Sequence, residues 1–212
     1  IRLKSDTFTK VDFVPGYFLR VGIGIGKEGL SMKDKIRSYS VWDLNKQQGF
    51  LDLAIATHSK GIGAQWVEKS QPGDQVYFKW KKGKFLVDHS ADSYLMIGDL
   101  SALSHLYVIQ RNLEKGKQVD GIIYNSNEKE MFADTDHTNP FGFYEMPLNP
   151  QEEVLKLVKE KVGKMQGKQM VYIAGDSRIC IQLNKYFRKE LGWDSNQVKT
   201  KPFWNPEKKG LE

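Results

Sequence analysis

The 212-residue sequence predicts a β plus α/β protein, an antiparallel β-barrel unit followed by a unit built on a parallel, nucleotide-binding-like sheet. Three observations carry this. Up to Asp88 the apolar runs are short and partly alternating, broken at Pro15-Gly16, Gly49, Gly61, Gly63 and Pro72-Gly73, as strands and turns require. After Asp88 the runs become continuous. They alternate with segments whose apolar residues fall three and four apart, which is a helical period. Strands apolar on both sides belong to parallel sheets, and crossover helices must join them.

In the first unit, strands are expected at 8–14, 17–25, 36–42, 50–56 and 75–78, with a short helix opening at Gly61-Ile62-Gly63-Ala64-Gln65-Trp66. In the second, Tyr94-Leu95-Met96-Ile97 forms a strand that leads into a helix with Leu103, Leu106, Tyr107, Gln110 and Leu113 on one side. Gly121 to Tyr124 is the next strand, and Val154, Leu155, Val158 and Val162 mark a second helix. Met170 to Ala174 is a third buried strand, followed by a helix carrying Ile179, Leu183, Tyr186 and Phe187 on one stripe. The interval 126–150 lacks periodicity and holds Pro140, Pro147 and Pro150, so it is expected to run over the surface. The units are expected at 1–90 and 91–212.

Composition removes several classes. Hydrophobic residues at 40% and aromatics at 12% are too many for a disordered tail. No apolar run approaches the roughly 20 residues of a spanning helix, so a soluble chain without a membrane span is expected. Lys and Arg number 32 against 26 Asp and Glu, a net +6 that attracts anions. The basic residues are interleaved with acidic ones and no recognition motif accompanies them, so nucleic acid is not the expected partner. Cys180 is the only cysteine, so no intrachain disulfide is expected. His58, His89, His105 and His137 have no partner at ligand spacing, and no metal site is expected. A reducing, cytoplasmic compartment follows. Ile1 is not an initiator methionine and Leu211-Glu212 looks like a tag remnant, so the chain reads as an edited form of a natural one.

Three stretches can carry chemistry. Arg37-Ser38-Tyr39-Ser40 lies on an expected strand, where alternation places Arg37 and Tyr39 on one face and turns Ser40 to the other. Gly61 and Gly63 open a helix whose amides and dipole favour phosphate. Gly98-Asp99 and Gly175-Asp176 close two parallel strands at helix starts. Each also has a plain structural reading: an exposed arginine beside a sheet aromatic, an ordinary glycine loop, and helix capping by Asp99, Ser101, Asp176 and Ser177. The basic run Lys79-Trp80-Lys81-Lys82-Gly83-Lys84 is either an anion-attracting patch or a solvated hairpin. No Gly-x-Gly-x-x-Gly fingerprint follows a strand, and Gly22, Gly24 and Gly26 read as flexible strand and turn.

Taken in order, these motifs resemble the siderophore-interacting proteins, FAD-dependent ferric-siderophore reductases on the ferredoxin-reductase plan. Arg37-Ser38-Tyr39-Ser40-Val41 is similar to that family's Arg-x-Tyr-Thr motif. Asp52 to His58 followed by Gly61-Ile62-Gly63-Ala64-Gln65-Trp66 resembles its Asp-x-x-x-x-x-His strand end and Gly-Pro-Ala-x-x-Trp turn. Pro72-Gly73-Asp74 is similar to the turn before its last barrel strand. In the second unit, Tyr94-Leu95-Met96-Ile97-Gly98-Asp99-Leu100-Ser101-Ala102-Leu103, Tyr172-Ile173-Ala174-Gly175-Asp176 and Phe203-Trp204 follow the family's segments in order.

The resemblance implies an FAD-binding barrel with Arg37 on the FAD phosphates, Tyr39 on the isoalloxazine, Ser40 near its N5 edge, and Gly63 and Ala64 offering amides. Ser38, His58, Gly61 and Trp204 complete the cofactor set it implies. Asp99, Ser101, Gly175 and Asp176 would stand at the mouth of an NAD(P)H-binding-like domain, with NADH, NADPH or ferredoxin as donor. Lys79, Lys82 and Lys201 would draw in an anionic ferric siderophore. The flavin carries the redox chemistry, so no catalytic side chain is expected. Two alternatives stay open: a flavin or quinone reductase of the same fold, and a ferric-siderophore binding protein without turnover.

The sequence departs from the family pattern in three places. The stretch from Gly26 to Ile36 leaves little room for the extra barrel strand that the resemblance implies before Arg37. Ile62-Gly63 replaces the family's Gly-Pro turn, and Asn205 replaces a basic residue after the C-terminal Trp.

Overall fold

Leu19 and Val21, both fully buried, set the architecture of the first unit: their strand is the middle one of a three-stranded sheet and turns them into its core. A computed structural model describes residues 1–25, 28–29, 31, 34–57 and 61–207. The chain divides into two compact units, Ile1–Leu86 and Val87–Leu211.

The first unit holds strands β1 (Arg2–Lys4), β2 (Phe18–Gly22), β3 (Ile36–Ser40), β4 (Asp43–Asn45), β5 (Phe50–Asp52) and β6 (Tyr77–Lys81). They form two antiparallel sheets, ordered β1-β5-β4 and β3-β2-β6. The chain crosses from one sheet to the other at Val41 and Trp42, whose amides donate to Tyr17 O (3.4 Å) and Asp52 O (2.9 Å). Leu3, Leu19, Val21, Val41, Leu51 and Leu53 from both sheets share one core. The barrel expected from sequence is therefore two short sheets folded around a common interior. The ladder between β2 and β3 is extended by Ile23 N donating to Lys35 O at 2.9 Å, and no further strand lies between them among the described residues.

One expected strand is a helix. Phe8 lies in the single turn α1 (Thr7–Lys10), where it is fully buried, stacked on Phe78 at 5.3 Å and edge-on to Trp80 at 6.0 Å. The helix α2 (Ile62–Lys69) opens where the glycines predict it and ends at Ser70, whose amide returns to Trp66 O at 3.0 Å.

The second unit is a five-stranded, all-parallel sheet of β7 (Ser93–Asp99), β8 (Gln118–Asn125), β9 (Gly142–Glu145), β10 (Gln169–Asp176) and β11 (Val198–Trp204). Its order, β11-β10-β7-β8-β9, places chain neighbours to one side of β7 and then returns to the other, so the strand order reverses between β7 and β10. The helices α3 (Leu103–Arg111), α4 (Gln151–Val162) and α5 (Ser177–Lys185) cover it, and α5 passes into a wider π-helical turn over Tyr186–Glu190. Leu95, Ile97, Ile122, Val171 and Ile173 pack with Val154, Val158, Ile179 and Leu183 into one core.

Two strands escape the periodicity. The interval 126–150, expected as a surface excursion, contains β9 and is tied down by Tyr107, which donates to Phe132 O at 2.6 Å and stacks on Phe141 at 5.3 Å. β11 contains Pro202, which an edge strand tolerates because its missing N–H costs no ladder bond on the outer side. No helix among the described residues is long and apolar enough to cross a membrane.

Candidate functional site

The strand β3 and the helix α2 build one site within the first unit. Register fixes the side-chain directions: Arg37 lies opposite Val21, and Tyr39 opposite Leu19. Both therefore share the inward face with Phe78 and Trp80. The α2 backbone comes against them. A Cβ at Gly63 would overlap the Tyr39 hydroxyl and lie 3.7 Å from Arg37 Cγ, so only glycine allows this approach. Trp66, one turn further along α2, stacks on Tyr39 at 6.2 Å with the planes 18° apart.

Among the described residues, no side chain caps the start of α2. Gly61 is extended and supplies no side-chain cap, and the first intrahelical bond is from Gln65 N to Gly61 O at 3.1 Å. The amides of Ile62, Gly63 and Ala64 thus precede the helix's own acceptors, at its positive end. The stem of Arg37 runs against Gly63, and its Nη1 donates to Ile36 O (2.7 Å) and Asp34 O (3.4 Å). A cation, helix-start amides and an aromatic pair meet at one place, which suits a pyrophosphate attached to a planar ring.

Other residues singled out in the sequence fall elsewhere. Ser38 and Ser40 lie on the opposite sheet face, across from Arg20 and Phe18. Lys79 is also on that outer face, paired with Arg20, and is exposed. Lys82 and Lys201 are exposed at the end of β6 and on β11. His58 lies outside the described residues. Trp66 closes the glycine motif but is not in the cofactor set that the resemblance implies, and Arg20 is in neither. The helical offset from Gly63 gives Trp66 away, whereas Arg20 needs the strand register.

The second cluster lies where the strand order reverses, the place where open α/β sheets bind ligands beyond their carboxyl ends. Asp99 ends β7 and Gly175-Asp176 end β10, as their sequence positions imply. The Asp99 carboxylate is buried and its donors come from this unit: Ser101 N (2.9 Å) and Oγ (2.5 Å) on Oδ1, and Asp176 N and Trp204 Nε1 (both 2.7 Å) on Oδ2. Burial pushes its pKa up, against these hydrogen bonds. Asp176 caps α5 through Arg178 N at 2.9 Å and pairs with the Arg178 guanidinium at 2.5 Å. Both helix starts at the switch point are therefore filled by carboxylates, which disfavour a phosphate there. Beside Asp99 in the ladder, the Tyr124 hydroxyl is buried with no hydrogen-bond partner among the described residues, and burial raises its pKa well up, so it is a neutral donor.

Comparison with known proteins joins these halves. Residues 91–207 match the profile described as siderophore-interacting protein, more than half of the chain. The chain belongs to the siderophore-interacting protein family. Residues 1–86 match the oxidoreductase FAD-binding domain, and FAD is the cofactor whose phosphates and ring fit the Arg37, Tyr39 and Gly63 arrangement. Ferric vibriobactin reductase ViuB of Vibrio cholerae is 25% identical over 174 residues, 79% of this chain; the chain spans 64% of that relative's length. Among solved structures, a siderophore-interacting protein from Acinetobacter baumannii superposes with a TM-score of 0.78 at 15% identity, covering 93% of this chain and 79% of that one. SipS from Aeromonas hydrophila, another family member, gives 0.78 at 16%, covering 99% and 86%. A ferredoxin reductase of carbazole 1,9a-dioxygenase gives 0.70 at 16%, covering 91% and 60%, which extends the fold likeness to the ferredoxin-reductase plan.

Proposed function

We propose that the chain is an FAD-dependent reductase that releases iron from ferric siderophores as Fe(II), with electrons from NADH, NADPH or ferredoxin. The observation that carries this reading is the meeting of Arg37, Tyr39 and the uncapped start of α2 in a family whose curated relative is named a ferric vibriobactin reductase. Arg37 and the amides of Gly63 and Ala64, with Gly61 leaving the helix start open, would hold the FAD pyrophosphate. Tyr39, backed by Trp66, would offer the ring surface. Ser38, Ser40 and His58 belong to the same cofactor set by likeness to the family. Bound FAD supplies the conversion of an electron pair into single electrons, which Fe(III) requires. Hard oxygen ligands hold Fe(II) far less tightly than Fe(III), so reduction frees the metal.

Asp99, Ser101, Gly175 and Asp176 serve mainly as caps and spacers in this reading, and any nucleotide would bind the second unit without its phosphate at those helix starts. Lys79, Lys82 and Lys201 would raise the rate of encounter with an anionic siderophore rather than grip it. A cytoplasmic site is proposed with it, since Cys180 is buried and burial raises its thiol pKa, as an inert cysteine in a reducing compartment would be.

The test is reconstitution with FAD followed by anaerobic addition of NADH, NADPH or reduced ferredoxin, and then of a ferric catecholate or hydroxamate with a ferrous chelator present. Flavin bleaching by a donor and chelated Fe(II) are expected. A chain that takes up no FAD, or holds reduced FAD without yielding Fe(II), overturns the reading. Faster reoxidation by quinone or free flavin than by any ferric siderophore would favour the broader reductase.

A further inference from the structure

Alternation along β2, β3 and β6 sends Leu19, Val21, Tyr39, Phe78 and Trp80 into the core of the first unit and leaves the intervening residues facing outward. Arg20 is at the centre of that outer face, paired across the ladder with Lys79, and Lys81 follows two residues further along β6. None of the outward positions of the three strands is Asp or Glu, and no carboxylate pairs with Arg20, Lys79 or Lys81 among the described residues. Like charges directly opposite on a ladder repel. Arg20 Nε, moreover, is buried with no hydrogen-bond partner among the described residues. A buried donor left unpaired costs stability, so this is a face that an external anion relieves.

The same face has an apolar end. A Cβ at Gly22 would lie 2.7 Å from Ile25 Cγ1, so the Ile25 side chain folds over the outward side of β2, and Gly22 is paired with Tyr77. Ile25 is 54% exposed and Tyr77 59%. At the opposite end, Lys82 and Lys84 are exposed just past β6 and extend the positive charge. A pleated sheet face is flat and lacks the concavity that encloses a small anion. Its lysines carry their charge on long flexible stems, which suits a diffuse layer of negative charge better than the placed carboxylates of a protein. A tyrosine beside an aliphatic residue suits a membrane–water boundary, where the amphipathic ring lies at headgroup level.

We propose that the outer face of the β3-β2-β6 sheet is a peripheral docking surface for an anionic lipid bilayer, with Arg20, Lys79 and Lys81 on the lipid phosphates and Tyr77 and Ile25 in the headgroup layer. The attachment is electrostatic and reversible, because a few cations and two apolar side chains do not approach the hold of a spanning helix. The charge and exposure of this face are independent of the flavin-reductase reading above.

The full chain is sedimented with vesicles of phosphatidylcholine alone and with vesicles of equal parts phosphatidylcholine and phosphatidylglycerol. Binding to the anionic vesicles should be at least about tenfold stronger and should weaken as salt is raised. Lys79→Glu combined with Lys81→Glu should reduce it at least about tenfold. Lys185→Glu combined with Lys189→Glu makes the same charge change at exposed positions of the second unit, and should reduce it less than about threefold. Cys180 is the only cysteine and is buried, so a polarity-sensitive thiol dye can be placed at Tyr77→Cys or, in the second unit, at Leu148→Cys, where the native residue is 83% exposed. Emission at the first position should shift to the blue with anionic vesicles, and emission at the second should not. Should the double charge reversal fail to fold, the two dye-labelled variants, which keep every cation, decide the question alone. Three results overturn the proposal: no preference for the anionic vesicles, which would hand the face to an acidic protein; equal losses in the two charge-reversed variants; and a dye response at Leu148→Cys as large as at Tyr77→Cys.

Discussion

The helix starts at the two candidate sites are made in opposite ways. In the first, α2 starts at Gly61 with no side-chain cap, beside Arg37. In the second, the turn before α3 and the helix α5 start at Asp99 and Asp176, each capping with its own carboxylate. Net charge divides the same way: residues 1–86 carry 15 basic and 8 acidic side chains, a net +7, whereas residues 87–212 carry 17 and 18, a net −1. The first unit carries the excess of positive charge, and the second caps its switch-point helix starts with its own carboxylates. The +6 of the whole chain therefore belongs to the β unit, where FAD phosphates and an anionic iron complex would both benefit from it.

The sharpest way to break this contrast is to remove the cation. Arg37→Ala should weaken FAD binding about 10- to 100-fold, the range expected for a lost charge-assisted hydrogen bond. Fluorescence titration of the apo-protein measures it, and riboflavin, which lacks phosphate, should lose little. Equal losses for the two ligands would mean that Arg37 acts on the ring or on the fold. Next in size is Gly63→Val, whose added carbons would occupy the place of the Tyr39 hydroxyl. FAD affinity should fall about tenfold by displacement of Tyr39 and the α2 start together. Tyr39→Phe in the same background should restore part of it, because it removes the overlapping atom.

How much of this was legible depended on whether the deciding partner was near in sequence. Arg37 and Tyr39 share a face by alternation alone, and Gly61 to Trp66 announces a helix start, so the placement of these residues could be read directly. The parallel strands β7, β8 and β10 were legible because burial on both faces leaves no polar alternation. β9 and β11 were not, since edge strands pair on one side only and keep Lys199, Lys201 and Pro202. Phe8 misled for a related reason: one buried aromatic satisfies a strand or a helical turn equally well. Asp99 was legible as a cap, through Ser101 two residues away. Its grip on Trp204 was not, because only the folded sheet brings β11 to β7's neighbour.

A smaller effect tests the self-sufficiency of the second unit. Asp88 accepts from Lys199 at 2.9 Å and from Ser90 N at 3.0 Å. Burial opposes its ionisation, yet these partners hold its pKa down at about 2. A carboxylate whose pKa is lower in the folded state contributes stability above its unfolded value, and that contribution is lost as pH falls through the folded one. Lys199→Ala should thus lower Tm by a few degrees at pH 7, reflecting roughly 1 kcal/mol or less for a partly exposed pair. The gap should close as the pH falls from about 4 towards 2. A gap that persists at pH 2 would assign the loss to the lysine's packing instead.

The smallest effect separates the two faces of the first unit. Lys79 carries charge into the same unit as Arg37, but the register sets it beside Arg20 on the outer face, whereas Arg37 and Tyr39 point inward. A cation that only steers an anionic siderophore acts through a field that salt screens, with a Debye length of about 8 Å at physiological ionic strength. Lys79→Ala should therefore change kcat/KM less than about threefold at 0.15 M salt, and the difference should shrink further as salt is raised. Lys82→Ala should behave alike. A loss above tenfold that survives high salt would mean direct contact with the substrate. The outer sheet face, with Arg20, Lys79, Lys81 and Tyr77, would then be the substrate's seat, and the inward face would be left to the flavin alone.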